Sequence, residues 1–225
     1  MNLYQIFTQE TDAYFAYLKE HNLFYRRIVT GAIQVNEFAS FLRNVSFLTT
    51  YTPVHLVLAE RVAKERGLTQ LAQYFKDKRG EEVEHHRWGD ADVAALKAHF
   101  KVPDDAIGIT KEMKDFIQGN EKLIHRDPFS YFVYILFSEY FTVIAGPECL
   151  AAVEKHARIP QDMMTIIGRH AELDKHHVKH WIDESVDVGI PAAEVMSYQS
   201  ALREVMDRYS LFAESISRPY VKAAA

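Results

Sequence analysis

Hydrophobic residues recur at the period of an α-helix along almost the whole chain, and no segment shows the alternation of a half-buried strand. Glycine and proline are scarce, with nine and seven occurrences in 225 residues, and most of them stand between periodic segments. A chain with this pattern buries its apolar stripes by packing helix against helix. The sequence therefore predicts an all-α fold of seven to nine helices.

The predicted helix boundaries rely on proline and glycine. Thr52-Pro53 is interpreted as the end of one helix and the start of the next, because proline suits the first helical position. Gly146-Pro147 is interpreted as a second break, and Gly80 predicts a kink or a break. We predict one domain over residues 1–220 and a disordered tail over 221–225. The predicted helices cover residues 3–22, 36–51, 52–66, 69–100, 110–120, 129–145, 147–157, 160–189 and 191–216.

The composition excludes several classes of protein. Acidic and basic residues are interspersed at a net charge of −5, and without a basic run a nucleic-acid partner is not expected. Cys149 is the only cysteine, which excludes a disulfide or a zinc site of several thiolates within one chain. The chain has no signal-peptide pattern, and no apolar run approaches 18 residues without polar interruption. We therefore expect a cytoplasmic protein without a membrane partner.

The stretch from His170 to His180 holds four of the eleven histidines. On a helix at about 100° per residue, His170, Asp174 and His177 fall within roughly 60° of arc on one face. Imidazole and carboxylate groups in such a ladder suit iron, manganese or zinc. The alternative is a solvated helix face that is rich in histidine. His176 points to a different face, and His180 is a candidate for supporting the ligands from outside.

A second pair, Glu82 and His85, places a carboxylate and an imidazole three residues apart on one predicted helix. Residues at this spacing lie side by side, so both groups can reach one metal ion, as they do in the carboxylate sites of helix bundles. A solvated ion pair is the alternative, because charged pairs at this spacing are common on helix surfaces.

Glu139 lies in the most apolar predicted helix and is its only carboxylate between Asp127 and Glu148. A helix that is apolar on nearly all its faces is expected at the centre of the fold. A buried carboxylate there needs a cation or a proton, because an unpaired buried charge is costly. A lysine or arginine partner, or a solvent gap, is the alternative to a metal ion.

Together the predicted helices supply three carboxylates and three histidines. Two iron ions with bridging carboxylates and open positions for oxygen need about this number of ligands. Zinc is less suitable, because structural zinc favours cysteine and hydrolytic zinc needs fewer carboxylates. The candidate metal ligands, which are also the candidate catalytic residues, are Glu82, His85, Glu139, His170, Asp174 and His177.

The order of these residues along the chain resembles that of the six metal ligands in the haem-oxygenase-like diiron oxidases and oxygenases. The superfamily of these enzymes includes the thiaminase II and pyrroloquinoline-quinone synthase folds. The resemblance covers nearly the whole chain. Some members of the family place the first glutamate seven residues before the first histidine, where this sequence has Lys78, and others have Glu-x-x-His, as here. The first glutamate ligand is therefore assigned to Glu82, with Glu81 as the alternative. The motifs that carry the resemblance are His170-x3-Asp174-x2-His177, Glu81-Glu82-x2-His85-x2-Trp88, and Glu139 about 30 residues before His170.

The resemblance implies a haem-oxygenase-like helical bundle that holds two Fe(II) per chain and uses dioxygen as a co-substrate. The implied reactions on a small metabolite are N-oxygenation of an amine or amino acid, oxidative C–C cleavage and fatty-acid oxidation, as steps of biosynthesis. A homodimer and an external reductant are also expected. Tyr140 is a candidate hydrogen-bond donor beside Glu139, and Arg26, Arg27 or His55 are candidates for holding a substrate carboxylate.

Three other functions are open to a chain of this kind. A haem-binding or haem-degrading protein of the same fold would use His21, on the first predicted helix, as its iron ligand. A metal-free, thiaminase-like hydrolase would need a nucleophile, for which Cys149 is the candidate. A non-catalytic interaction protein would leave Glu139, on its apolar helix, without an explanation.

Overall fold

The computed structural model describes residues 3–188 and 194–222. Within these ranges the chain forms nine α-helices, two short 3₁₀ turns and no strand, and the prediction of an all-α fold is confirmed. The 3₁₀ turns cover Asp104–Ala106 and Gln161–Met163. The helices are α1 (Leu3–His21), α2 (Leu23–Val29), α3 (Val35–Glu65), α4 (Thr69–Glu81), α5 (His86–Phe100), α6 (Lys111–Arg126), α7 (Pro128–Ala157), α8 (Thr165–Asp187) and α9 (Val195–Lys222).

Helix α7 forms the centre of the molecule, as its apolar sequence predicts. Every side chain from Pro128 to Phe137 is buried, and α7 packs against α1, α2, α3, α6, α8 and α9. The Asp127 side chain begins the helix by accepting a hydrogen bond from the backbone N–H of Phe129. A second set of contacts joins α3 to α4, α5 and α6, and α5 to α8. Helices α4, α5, α7 and α8 therefore meet on one side of the core.

Helix α7 is also the one described helix that is long and apolar enough to cross a membrane, judged by length and composition alone. Its most apolar window has a mean hydropathy of 1.3, and 72 % of that window is buried inside the protein. A core helix has these same properties.

The two helix breaks predicted at proline are wrong. Pro53 lies inside α3 and Pro147 lies inside α7. An internal proline removes one backbone hydrogen bond and costs about 3 kcal/mol. In α3 this cost is outweighed by burial on both sides of the proline, where Leu42 and Leu56 are completely buried. Local sequence signals do not contain this tertiary contribution.

The predicted helix over residues 69–100 is divided, although not at Gly80, which lies inside α4. Glu82 follows the last residue of α4, and His85 precedes the first residue of α5. Between them Glu84 has a φ of 70°, a left-handed conformation that is rare for glutamate. Glu82 and His85 therefore lie on a tight junction between two helices and not on one helix, as predicted. Backbone strain of this kind clusters at functional sites.

Three other predicted boundaries are wrong as well. Helix α6 continues beyond Asn120 to Arg126, because Leu123 and Ile124 extend its buried face. A 3₁₀ turn follows Pro160, so that α8 begins only at Thr165. Helix α9 continues past the predicted end at residue 216 to Lys222, with Pro219 inside it, so residues 221 and 222 of the predicted tail are helical. The predicted boundaries at 189 and 191 and residues 223–225 lie outside the described residues.

Candidate metal centre

The junction of α4 and α5 contributes two side chains to a first group of possible ligands, called here the two-histidine group. It consists of Glu82, His85 and His170, and the third residue comes from α8. His85 Nδ1 lies 3.2 Å from Glu82 Oε2 and 3.1 Å from His170 Nε2. One ligand atom from each residue lies within 4.8 Å of the other two. Three donors at this separation can converge on one ion.

The imidazole of His170 is held in a definite orientation. Its Nδ1–H donates to the backbone carbonyl of Ile166 at 2.6 Å, which leaves Nε2 as the atom that faces the group. The His85 ring stacks on Trp88 with the ring centroids 4.2 Å apart. Both rings are thus positioned before any ion binds.

Asp92 fixes the start of the helix that carries His170. Its carboxylate is buried and accepts hydrogen bonds from Thr165 Oγ1 at 2.7 Å and from the backbone N–H of Ile166 at 2.8 Å. A carboxylate at a helix N-terminus satisfies free N–H groups and interacts favourably with the helix dipole. Asp92 therefore connects α5 to the first turn of α8, the helix that carries His170.

A second group, called here the two-carboxylate group, consists of Glu139 from α7 with Asp174 and His177 from α8. His177 Nδ1 lies 3.2 Å from Glu139 Oε1 and 3.3 Å from Asp174 Oδ1. The indole N–H of Trp181 donates to the other oxygen of Glu139, Oε2, at 2.9 Å. Both carboxylates are buried, at 5 % exposure each, so they need a positive charge nearby.

The Lys78 ammonium supplies a positive charge to this second group. Lys78 projects from α4 and is buried, with Nζ 2.5 Å from Glu139 Oε1 and 3.0 Å from His177 Nδ1. Glu81 also pairs with it, at 3.0 Å, from a half-exposed position. The ammonium thus lies against two of the three ligand atoms of the two-carboxylate group.

The pKa values show how these charges depend on one another. Burial acts to lower the pKa of Lys78, but attraction to Glu139 and Glu81 raises it above its usual value. Burial acts to raise the pKa of Glu139, whereas Lys78 and His177 bring it below the usual value. Hydrogen bonds to Asp174 and Glu139 raise the pKa of His177 to about 10. Without a metal, the two-carboxylate group is therefore balanced by cations of the chain itself.

The two-histidine group has a different electrostatic character. Burial acts to raise the pKa of Glu82, but the hydrogen bond with His85 and the charges of His170 and Lys78 keep it below its usual value. Glu82 is therefore a carboxylate at neutral pH. Two imidazoles and one carboxylate with open positions form the ligand set of non-haem Fe(II) oxygenases. The residues of this group fit a ferrous ion.

Both groups border a cavity of about 180 Å³ inside the helical bundle. Glu82 and His170 from the first group, and Glu139 and Asp174 from the second, are among its lining residues. Lys78 is the only lysine or arginine among the described residues that line it. The other lining side chains are mostly apolar, and most of them come from α2, α3 and α7, among them Phe24, Phe41, Leu56, Phe137 and Phe141.

The structure brings the six candidate ligands together, in two groups of three. It gives other places to the two residues that were expected to support them. The Tyr140 hydroxyl donates to Asp12 at 3.0 Å, and His180 is exposed and packs against His176. Glu81, the alternative first ligand, faces the two-carboxylate group and lies 3.4 Å from His177 Nε2.

The candidates for holding a substrate carboxylate do not line the cavity. Arg26 is exposed, and Arg27 forms an ion pair with the buried Glu37. His55 is buried on α3 beside Tyr131.

Sequence reasoning assigned no role to three residues that shape the site, namely Lys78, Asp92 and Trp181. Lys78 had one available signal, since it stands seven residues before His85, where some members of the resembled family have their first glutamate ligand. Trp181 follows His177 by four residues and so continues the ligand face of α8 toward Glu139. Asp92 had no such signal, because its partners lie 73 and 74 residues away in the chain.

Comparison with known proteins supports the architecture. Neither a protein-family model nor a curated protein sequence matches this chain. A crystal structure from Shewanella denitrificans, described as a domain of unknown function with a haem-oxygenase-like fold, superimposes with a TM-score of 0.82. The two chains are 12 % identical, over 100 % of this chain and 96 % of the other.

A CADD-like protein of unknown function from Nostoc punctiforme is also similar. Its two crystal structures give TM-scores of 0.69 and 0.66 at 15 % and 13 % identity. The matches cover 96 % and 98 % of this chain, and 98 % of the other chain in both cases. Similarity at such low identity concerns the fold, and the protein has the haem-oxygenase-like fold that its sequence resembles.

Proposed function

We propose that the protein is a non-haem iron enzyme that uses dioxygen to oxidise a small, mainly apolar metabolite. The observation that carries this proposal is the two-histidine group, in which His85 joins Glu82 and His170, two residues that line the cavity. Bound Fe(II) would supply the site at which dioxygen is activated. The substrate or an external reductant would supply the electrons.

The residues of the chain have separate tasks in such an enzyme. His85, His170 and Glu82 would hold the ion, and Glu82 and His170 line the cavity where a substrate would bind. The hydrogen bond from His170 to Ile166 and the stacking of His85 on Trp88 keep the imidazoles in place. The apolar walls exclude water, which protects reactive species from side reactions.

The cavity also limits the substrate. An apolar cavity of about 150 Å³ accepts a molecule the size of benzene, and the volume here is about 180 Å³. The only lysine or arginine among the described lining residues, Lys78, is already paired with Glu139 and Glu81. No cation is thus left to hold the carboxylate of an amino acid. Among the reactions implied by the resemblance, oxidation of a small aromatic amine fits these walls better than amino-acid cleavage or oxidation of a long fatty acid.

The two alternative activities have less support. The His21 side chain is 56 % exposed beside Glu20, so it does not offer an enclosed ligand to haem. Burial raises the pKa of Cys149 to about 12, which keeps the thiol protonated and makes it a poor nucleophile for a hydrolase. Neither observation bears on the expected homodimer or on the cytoplasmic location, which stay predictions.

Oxygen consumption tests the proposed function. Protein loaded anaerobically with Fe(II) is mixed with oxygenated buffer and with fatty acids, aromatic amines or amino acids. We expect oxygen uptake to increase most with the aromatic amines and to fall at least 100-fold in His85→Ala and His170→Ala. His176→Ala, which removes an exposed histidine from the same helix as His170, serves as the matched control. Oxygen uptake that persists in the chelator-treated protein would contradict the proposal. Iron-loaded protein that consumes no oxygen with any of the three substrate classes would also contradict it.

A further inference from the structure

Lys78 occupies the place where the second ion of a two-iron site would bind. We propose that its ammonium substitutes for that ion, so that the protein holds one iron per chain, in the two-histidine group. This inference rests on the proposed iron-dependent function and changes the expected metal content from two to one.

The geometry of the two-carboxylate group would place a second cation directly beside the ammonium of Lys78. Glu139 Oε1 and His177 Nδ1 lie 3.2 Å apart, and Lys78 Nζ lies 2.5 Å from the first and 3.0 Å from the second. An ion bound by both atoms would need to approach each to about 2.0–2.2 Å. It would then lie within about 4 Å of the ammonium nitrogen, where charge repulsion opposes its binding.

The lysine is also held in this position by the fold. Its side chain is only 7 % exposed, and it belongs to a helix whose Leu71 and Phe75 are completely buried. Glu81, one turn further along α4, pairs with the same ammonium at 3.0 Å. If the Lys78 side chain moved away from Glu139, the buried carboxylate would need another partner, and the long lysine side chain would need another position.

The two-histidine group forms no ion pair with such an internal cation among the described residues, although the charge of Lys78 helps to lower the pKa of Glu82. Among the described contacts of Glu82, His85 and His170, no lysine or arginine lies within ion-pairing distance. The carboxylate of Glu82 faces two imidazoles at the cavity wall. A divalent ion entering here would replace the contacts among these three side chains, and it would meet the three ligands that a mononuclear Fe(II) site uses.

Metal content measured without oxygen tests the inference. The protein as purified is titrated anaerobically with Fe(II), and with Co(II) as a redox-inert probe, and bound metal is counted by elemental analysis after desalting. We expect one ion per chain in the wild type. Lys78→Glu, which replaces the ammonium by a carboxylate, should bind two ions. Lys76→Glu, which makes the same charge change at an exposed position of α4, should bind one.

Lys78→Met keeps the inference testable if the glutamate variant does not fold. Without a metal, this variant should melt at a lower temperature than the wild type, because Glu139 loses its partner. A second equivalent of Co(II) should then raise its melting temperature, whereas the wild type should respond only to the first equivalent.

Each outcome decides for or against the inference. Two ions in the wild type would overturn it, and so would none, or one ion in both Lys78 variants. The outcome is independent of catalysis, because the count needs no oxygen. One bound iron with no oxygen uptake would refute the proposed function and leave this inference standing. Two bound irons with rapid oxygen uptake would refute this inference and leave the proposed function standing.

Discussion

At the scale of single residues, a buried polar side chain can make the stability of the protein depend on pH. His55 is 1 % exposed, and its ring contacts Tyr51 and Tyr131 at centroid distances of 6.1 and 5.8 Å. Its Nε2 lies 3.8 Å from Glu121, beyond hydrogen-bond length. Burial lowers the pKa of His55 to about 4 from the ordinary 6.5, so the imidazole is neutral in the folded protein over a range where it is protonated in the unfolded chain.

The pKa of His55 predicts a loss of stability in acid. Between pH 6.5 and about 4 the unfolded chain binds a proton at this residue that the folded protein does not, so the free energy of unfolding falls as the pH falls. A shift of this size corresponds to about 3 kcal/mol. Urea titrations of the wild type and of His55→Gln at pH 7, 5.5 and 4.5 measure it. The stability advantage of the wild type should shrink by about 2–2.5 kcal/mol between pH 7 and pH 4.5, which is still above the folded-state pKa, and parallel pH profiles would contradict the prediction.

At the scale of helices, close approach of backbones places the ligands. Gly89 in α5 faces α3 and α8, and a Cβ atom there would lie 2.6 Å from Ser46 Cβ and 2.8 Å from Ile166 Cδ1. These contacts are shorter than real Cβ atoms make. Gly89 therefore permits α5 to lie near enough for Asp92 to reach the N-terminus of α8.

Gly89→Ala is expected to destabilise the protein by about 1–3 kcal/mol through overpacking, although alanine favours helix by about 1 kcal/mol. Gly80→Ala is the matched control, because Gly80 also lies in a helix and no atom lies within 4 Å of its added Cβ. The control should be neutral or more stable by up to about 1 kcal/mol. Denaturant unfolding measures both, and similar effects in the two variants would show that the close approach at Gly89 is unimportant.

At the scale of the whole molecule, the candidate centre connects parts of the chain that are far apart in sequence. The α4–α5 junction lies 85 residues before its partner on α8, as the contact between His85 and His170 shows. Helix α8 packs against the central helix α7, whereas α4 and α5 pack against α3. An ion that binds residues from both segments stabilises the folded state, because the unfolded chain does not assemble the site.

Metal binding should therefore raise the melting temperature. At a free metal concentration of about 100 times the Kd, the folded state gains about 2.7 kcal/mol, which corresponds to roughly 5–10 °C for a chain of this length. Anaerobic thermal denaturation with Co(II) measures the shift. His85→Ala should lose most of it. An equal shift in this variant would mean that the ion binds elsewhere.

The candidate site was predictable to the extent that it depends on residue type and helical spacing. His170, Asp174 and His177 share a helix face because of their spacing, and Glu139 is conspicuous because its helix is apolar. The division into two groups was not predictable, because it depends on how α4 and α5 meet at Glu82 and His85. A lysine or arginine partner for Glu139 was stated as the alternative to a metal ion, but its identity as Lys78 was not predictable, since the two residues lie on different helices.

The sequence by itself determined the all-α fold and the central position of α7, because helical periodicity and a continuous apolar surface are local properties of the chain. Only the tertiary structure decided that Pro53 and Pro147 lie inside long helices, since packing on both sides outweighs the local cost of proline. It also decided which cation each carboxylate faces. Coulomb energies depend on distance and burial, and spacing along the chain specifies neither of these between separate helices.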